Sequence, residues 1–129
     1  MPALASITVN DGATTPVAHV FTEETTNGRL ASWNNEAAAT LAGRERLTVE
    51  VVRPQSASGA YRHSTSMLFP VLATVDGVQK VVRFIKADIT LHASQESTEQ
   101  EKKDAITMLA NLLDNASFKT SVQKMQPYF

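Results

Sequence analysis

The period of the apolar residues changes once along this chain, and that change limits the fold more than any other feature. From Arg44 to Val52 apolar side chains recur at every second position: Leu47, Val49 and Val51 share one face of an extended strand, and Arg46, Thr48 and Glu50 the other. The alternation returns from Val78 to His92. There Ile85, Ala87, Ile89 and Leu91 lie on the face expected to be buried, with Lys86, Asp88, Thr90 and His92 opposite. At Glu96 the period lengthens. Ser97 with Gln100, or Thr98 with Glu101, supplies a capping box, and Ala105, Ile106, Leu109, Leu112 and Leu113 follow at helical spacing to near Asn115. Ser117 is expected to cap a second, shorter helix carrying Phe118, Val122 and Met125, which Pro127 stops. Strands come first and helices last, the order of an α+β fold with a meandering antiparallel sheet.

Upstream, Ala3 to Val9 and Thr15 to Thr22 flank Asn10-Asp11-Gly12, which predicts a β-hairpin. Pro16 cannot donate a ladder hydrogen bond, so the hairpin is expected at a sheet edge or packed across another surface. Thr26-Asn27-Gly28 reads as a turn into a short strand, Arg29 to Asn34. The Ala-rich link from Glu36 to Gly43 is open to either a loop or a short helix. Pro54 to Gly59 is a loop, Tyr61 to Phe69 is extended until Pro70 interrupts it, and Val71 to Val75 leads to a two-residue hairpin turn at Asp76-Gly77.

A chain of 129 residues fits one domain, here 1–129, with the hairpin and sheet in 1–95 and the helices in 96–129. A domain this small gains much from a partner. Two short helices must also bury their stripes while antiparallel edges stay open, and edge-to-edge dimerisation would solve both problems. The formal net charge is −1, so any affinity for RNA must come from a local patch. There are no cysteines, which excludes disulfides and thiolate chemistry. The first residues lack the pattern of a secretory leader, and no run approaches the roughly 20 apolar residues that span a bilayer, so no membrane partner is expected.

Little points to catalysis. His19, His63 and His92 lie on separate strands without metal-ligand spacing, and no role is assigned to them. Glu23-Glu24 and the Glu99, Glu101 and Asp104 set read as solvated surface, the latter favouring a helix N-terminus. No phosphate loop, nucleophile elbow or zinc helix is present. No catalytic residue, metal or cofactor is therefore expected. The more suggestive set is Arg46, Thr48, Glu50, Arg62, Ser64, Ser66, Lys86, Asp88 and Thr90, which alternation puts on the polar faces of three strands. If these strands are neighbours, they offer cations for phosphates and short hydroxyl side chains for bases or 2′-hydroxyls. Taken alone, the pattern is better explained by the one solvated face that antiparallel sheets ordinarily carry.

Three stretches carry a more specific resemblance: Thr26-Asn27-Gly28, then Arg46-Leu47-Thr48-Val49-Glu50-Val51-Val52-Arg53-Pro54, then Ala87-Asp88-Ile89-Thr90-Leu91-His92 followed by Ser97-Thr98-Glu99. With the segment Gln123 to Phe129, including Pro127 and Tyr128, they resemble the coat proteins of leviviruses, single-stranded RNA bacteriophages, particularly the allolevivirus-like branch. The resemblance implies an N-terminal hairpin, a five-stranded antiparallel sheet and two C-terminal helices in an intertwined homodimer. Ile106, Leu109, Leu112, Leu113, Phe118 and Val122 would then form the dimer interface, and dimers would build a T=3-type icosahedral shell. It also implies that the polar face binds genomic RNA through an operator hairpin, which represses replicase translation and marks the genome for packaging. Arg62 and Lys86 would meet phosphates, and Thr48, Asp88 and Thr90 bases or sugars. A phage maturation protein is the further expected partner, the virion the location, and the bacterial cytoplasm the place of assembly. Glu50 departs from the neutral hydroxyl residue that would suit RNA better. Two other readings compete: a dimeric RNA-binding repressor that does not assemble, and a small enzyme built on residues such as His63 and Asp88.

Overall fold

A computed structural model describes residues 3–38 and 40–127. Tyr128, part of the family-like C-terminal segment, lies outside the described residues. The described residues form six strands, β1 (Ile7–Asn10), β2 (Ala18–Thr26), β3 (Leu30–Asn34), β4 (Arg46–Val52), β5 (Ala60–Val75) and β6 (Val78–Ser94), then helices α1 (Glu99–Leu113) and α2 (Ala116–Lys124). It divides into two compact units, 1–92 and 93–129.

In the first unit the strands lie side by side in chain order, from β1 to β6. The N-terminal hairpin is thus continuous with the sheet, because β2 pairs with both β1 and β3. Six strands in all stand where a hairpin plus five was expected. One reason is Pro70, which does not end its strand. Pairing with β4 stops at Arg46 opposite Leu68, so no β4 carbonyl waits for the N–H that Pro70 lacks, and β5 runs on to Val75. Pro16 also falls differently from expectation. It lies ahead of β2, in a loop that Asp11 holds by accepting from the backbone N–H of Ala13 (3.1 Å) and Val17 (3.0 Å).

The other turns follow their residues. Gly28 takes φ +81°, and the Asn27 side chain accepts from the backbone N–H groups of Arg29 and Leu30. Asp76 and Gly77 both have positive φ, as a two-residue hairpin turn requires. The link before β4 contains a single 3₁₀ turn, Leu41–Gly43, capped by Thr40.

The core lies on one face of the sheet. Phe21, Trp33 and Leu47 are buried, with Ile7, Ala31, Val49 and Met67 packed around them, and the Trp33 indole N–H donates to the Ala5 carbonyl at 2.8 Å. The register places Thr65 beside Val49 and His63 beside Val51 on this same face. Burial fades toward β6. Ile85, expected to be buried, is 63% exposed, Ala87 is exposed, and Ile89 and Leu91 are only half-buried. Val51 is likewise exposed where the alternation put it inside. Period-2 patterning identifies which residues share a face, but not whether that face is covered.

In the second unit α1 begins with the Thr98 and Glu101 alternative of the capping box: the Glu101 N–H donates to Thr98 Oγ1 (3.2 Å) and the Thr98 N–H to Glu101 Oε2 (2.8 Å). Asn115, rather than Ser117, caps α2, accepting from the N–H groups of Ser117 and Phe118. Met125 ends α2 in the left-handed region with φ 51°, ahead of Pro127.

Candidate nucleic-acid interface and assembly surfaces

Cross-strand register decides which of the polar candidates meet. Ser64 stands opposite Glu50 and Ser66 opposite Thr48, while Arg62, two residues before Ser64 on β5, shares their face, as Arg46 does on β4. The Ser66 hydroxyl donates to Asp88 Oδ1 at 2.7 Å, which carries the face onto β6, and Lys86 lies 3.7 Å from Asp88. Thr90 follows on the same side by alternation. All nine predicted residues therefore fall on one face of three neighbouring strands, with Ser32 of β3 extending it opposite Thr48.

The charges on this face are largely paired. Arg29 donates to Glu50 Oε1 from both Nε (2.8 Å) and Nη2 (2.5 Å), and Arg62 Nη2 stands 3.9 Å from Glu50 Oε2. Sequence reading missed Arg29, because only the register that sets Leu30 opposite Glu50 brings it near. The longer Arg62 and Lys86 pairs leave those cations free to exchange a carboxylate for a phosphate at little cost, since exposed ion pairs contribute no more than about 1 kcal/mol.

A second polar cluster involves His19, to which no role was assigned. Its Nδ1 lies 2.6 Å from Glu45 Oε1 and its Nε2 3.2 Å from Asp11 Oδ2, and the Asn35 amide donates to the same Glu45 oxygen at 3.0 Å. The partners are 26 and 8 residues away, so no local spacing announces the cluster. It ties the β1–β2 loop to the segment entering β4. Hydrogen bonds to Glu45, then to Asp11, raise the His19 pKa above its ordinary 6.5, while hydrogen bonds from the backbone of Val17 and Ala13, then from His19, lower that of Asp11 below 3.8. A raised histidine pKa means stabilisation that is complete below pH 6.5 and lost as the pH rises through the folded-state value. A lowered aspartate pKa means stabilisation present above 3.8 and lost as the pH falls through the folded-state value. The thermal midpoint is therefore expected to decline on the alkaline side, and His19→Gln should flatten that decline. An identical slope in the variant would remove His19 from the account. Among the described residues no group of three or more His, Asp or Glu side chains is arranged to hold a metal ion.

The third feature is apolar surface without cover. Neither helix has a buried residue, and Ile106 (44%), Leu112 (49%), Leu113 (38%) and Val122 (51%) are exposed, with Leu109 and Phe118 half-buried. In β6, Val81, Val82, Phe84 and Ile85 are exposed as well, and this 17-residue strand pairs on one side only. Exposed apolar side chains on the helices, and separately an unpaired strand edge, are features of a subunit that associates. Among the described residues no helix is long and apolar enough to cross a membrane.

An antiparallel sheet with one polar face, followed by two amphipathic helices, makes this an α+β fold. The family model of the levivirus coat protein matches residues 2–129, and the chain belongs to that family. It is a capsid-forming, structural protein and not an enzyme. Its fold is similar to the subunit of the virus-like particle of Beihai levi-like virus 21, at 22% identity and TM-score 0.90 over 99% of both chains. It is similar as well to that of bacteriophage ESE058, at 26% identity and TM-score 0.85 over 99% of this chain and 100% of the other. The bacteriophage GA capsid protein matches at 16% identity and TM-score 0.74 over 97% of each. No curated protein sequence matches at a significant level.

Proposed function

We propose that the chain acts as one coat-protein domain, 1–129, that forms an intertwined homodimer through the edge of β6 and the helices, and that dimers close into a T=3-type shell around genomic RNA. The observation that carries this reading is the coexistence of uncovered apolar helices and an unpaired 17-residue edge in a family of capsid-forming proteins. Ile106, Leu109, Leu112, Leu113, Phe118 and Val122 supply the apolar interface, which should bury roughly 2,000 Å² or more, as obligate dimers do.

The polar face of β4, β5 and β6 then binds an RNA hairpin, which represses replicase translation and marks the genome for packaging. Arg62 and Lys86 hold phosphates. Thr48, Asp88 and Thr90 meet bases or 2′-hydroxyls, and Arg46, Glu50, Ser64 and Ser66 complete the surface. Its position on neighbouring strands and its mixture of cations with short hydroxyl groups support this reading over a plain solvated face. The chain occupies the virion, assembles in the host cytoplasm and takes a maturation protein as a further partner.

The double variant Arg62→Ala/Lys86→Ala tests the surface. Charge-assisted contacts contribute about 1.5 kcal/mol or more each, so hairpin affinity should fall about a hundredfold, with dimers intact. Gel shift with RNA hairpins recovered from wild-type particles measures it. Unchanged affinity would place the RNA elsewhere.

A further inference from the structure

The Arg29, Glu50 and Arg62 cluster has an arrangement that a merely solvated face does not require. One carboxylate serves two guanidinium groups, with Oε1 taken by both donors of Arg29 and Oε2 turned toward Arg62 at 3.9 Å. The backbone fixes all three positions. Gly28 (φ +81°) and the Asn27 side chain pin the turn that delivers Arg29, and the ladder sets Glu50 opposite Leu30 on one side and Ser64 on the other. The Glu50 side chain is 29% exposed, against 63% for Arg29 and 45% for Arg62, so the anion sits deeper than the two cations around it. Two guanidinium groups about one central anion are the geometry of a phosphate site. Here the protein's own carboxylate fills it.

Resting on the RNA-binding reading above, we infer that Glu50 is an internal competitor for RNA phosphate, and that Arg29 belongs to the RNA surface as the cation it restrains. A phosphate that approaches this pair must draw the Arg29 guanidinium away from a carboxylate already in contact. Any RNA meets that obstacle, so loose electrostatic binding is weakened throughout. An RNA whose folded shape brings further contacts to Thr48, Lys86 and Thr90 overcomes it. Glu50 thereby acts as a specificity determinant, trading affinity for discrimination.

The test compares wild type, Glu50→Gln, Arg29→Ala and the double variant by fluorescence anisotropy across a salt series. The probes are a uridine 20-mer and the hairpins recovered from wild-type particles. Glu50→Gln should bind the uridine 20-mer about tenfold more tightly and steepen the salt dependence by about 0.7, the release expected for the one phosphate contact that freed Arg29 adds on a single strand. The hairpin should gain less, so the affinity ratio between the probes narrows. Arg29→Ala leaves Glu50 without its closest cation, so it should weaken binding of both probes in the wild-type background and cancel part of the gain in the Glu50→Gln background. Should the glutamine variant fail to fold, Glu50→Thr, which suits a strand, replaces it. Unchanged affinity and slope in Glu50→Gln, with RNA still lost in Arg62→Ala/Lys86→Ala, would overturn the competitor role and leave the surface standing. No RNA binding by wild type or either Glu50 variant would overturn both.

Discussion

Leu109→Asp is expected to leave a folded chain that no longer forms stable dimers or particles. Leu109 is half-buried on the stripe it shares with Ile106, Leu112 and Leu113, three residues that the single chain leaves substantially exposed. A carboxylate forced into the apolar contact that covers them costs about 3 to 5 kcal/mol. A two-fold interface presents the same patch from both copies, so the cost is incurred twice. A loss of about 6 kcal/mol weakens dimers by about four powers of ten. Asn111→Asp, on the opposite side of α1 by helical spacing, adds the same charge and should leave assembly unaltered. Sedimentation of the two variants at matched concentration separates them. Wild-type dimers from Leu109→Asp would show that the helices do not make the interface.

Phe21→Ala is expected to remove about 3 to 5 kcal/mol of unfolding free energy, a large part of the roughly 5 to 15 kcal/mol that holds a domain together. Phe21 is only 1% exposed and lies at the centre of a small core with Trp33 and Leu47. The cavity left by a phenyl ring adds to the lost transfer energy, since strands paired on both sides of β2 cannot collapse far to fill it. Leu41→Ala, at a side chain 68% exposed, should change stability by less than about 0.5 kcal/mol. Guanidinium titration at one fixed protein concentration is the appropriate measurement, because assembly itself stabilises the folded chain. Equal effects from both variants would mean that the core is misplaced.

The parts of the fold legible in the sequence are those encoded within a few residues. Thr26-Asn27-Gly28, the Asp76-Gly77 turn, the inward-facing Leu47 and the Thr98 and Glu101 capping box each act locally, and each stands in the structure. What was missed depends on partners far along the chain. Pro70 looked like a strand end, yet it falls just past the last β4 pairing, so no β4 partner loses a bond to its missing N–H. Ser117 and Asn115 are both good caps, and the choice between them depends on where α1 stops. A register shift between Glu23 and Thr25, a bulge in β2, has no clear signature in its residues.

The candidate surface divides along the same line. Alternation alone put the nine polar residues on strand faces, and the ladder then brought those faces together. Arg29 and the His19 cluster lay beyond reach because their partners are set by register and loop path rather than by spacing. Ile85 shows the converse case. Its apolar pattern suggested burial, and the single chain leaves it 63% exposed.

The central claim is that this chain closes into a shell around RNA. Negative-stain electron microscopy of the purified recombinant protein, with absorbance of the same fraction read at protein and nucleic-acid wavelengths, tests it most directly. Uniform closed particles that contain RNA are the predicted result. Dimers alone, across a range of salt and with RNA added, would contradict it and favour a repressor that uses the same sheet without assembling.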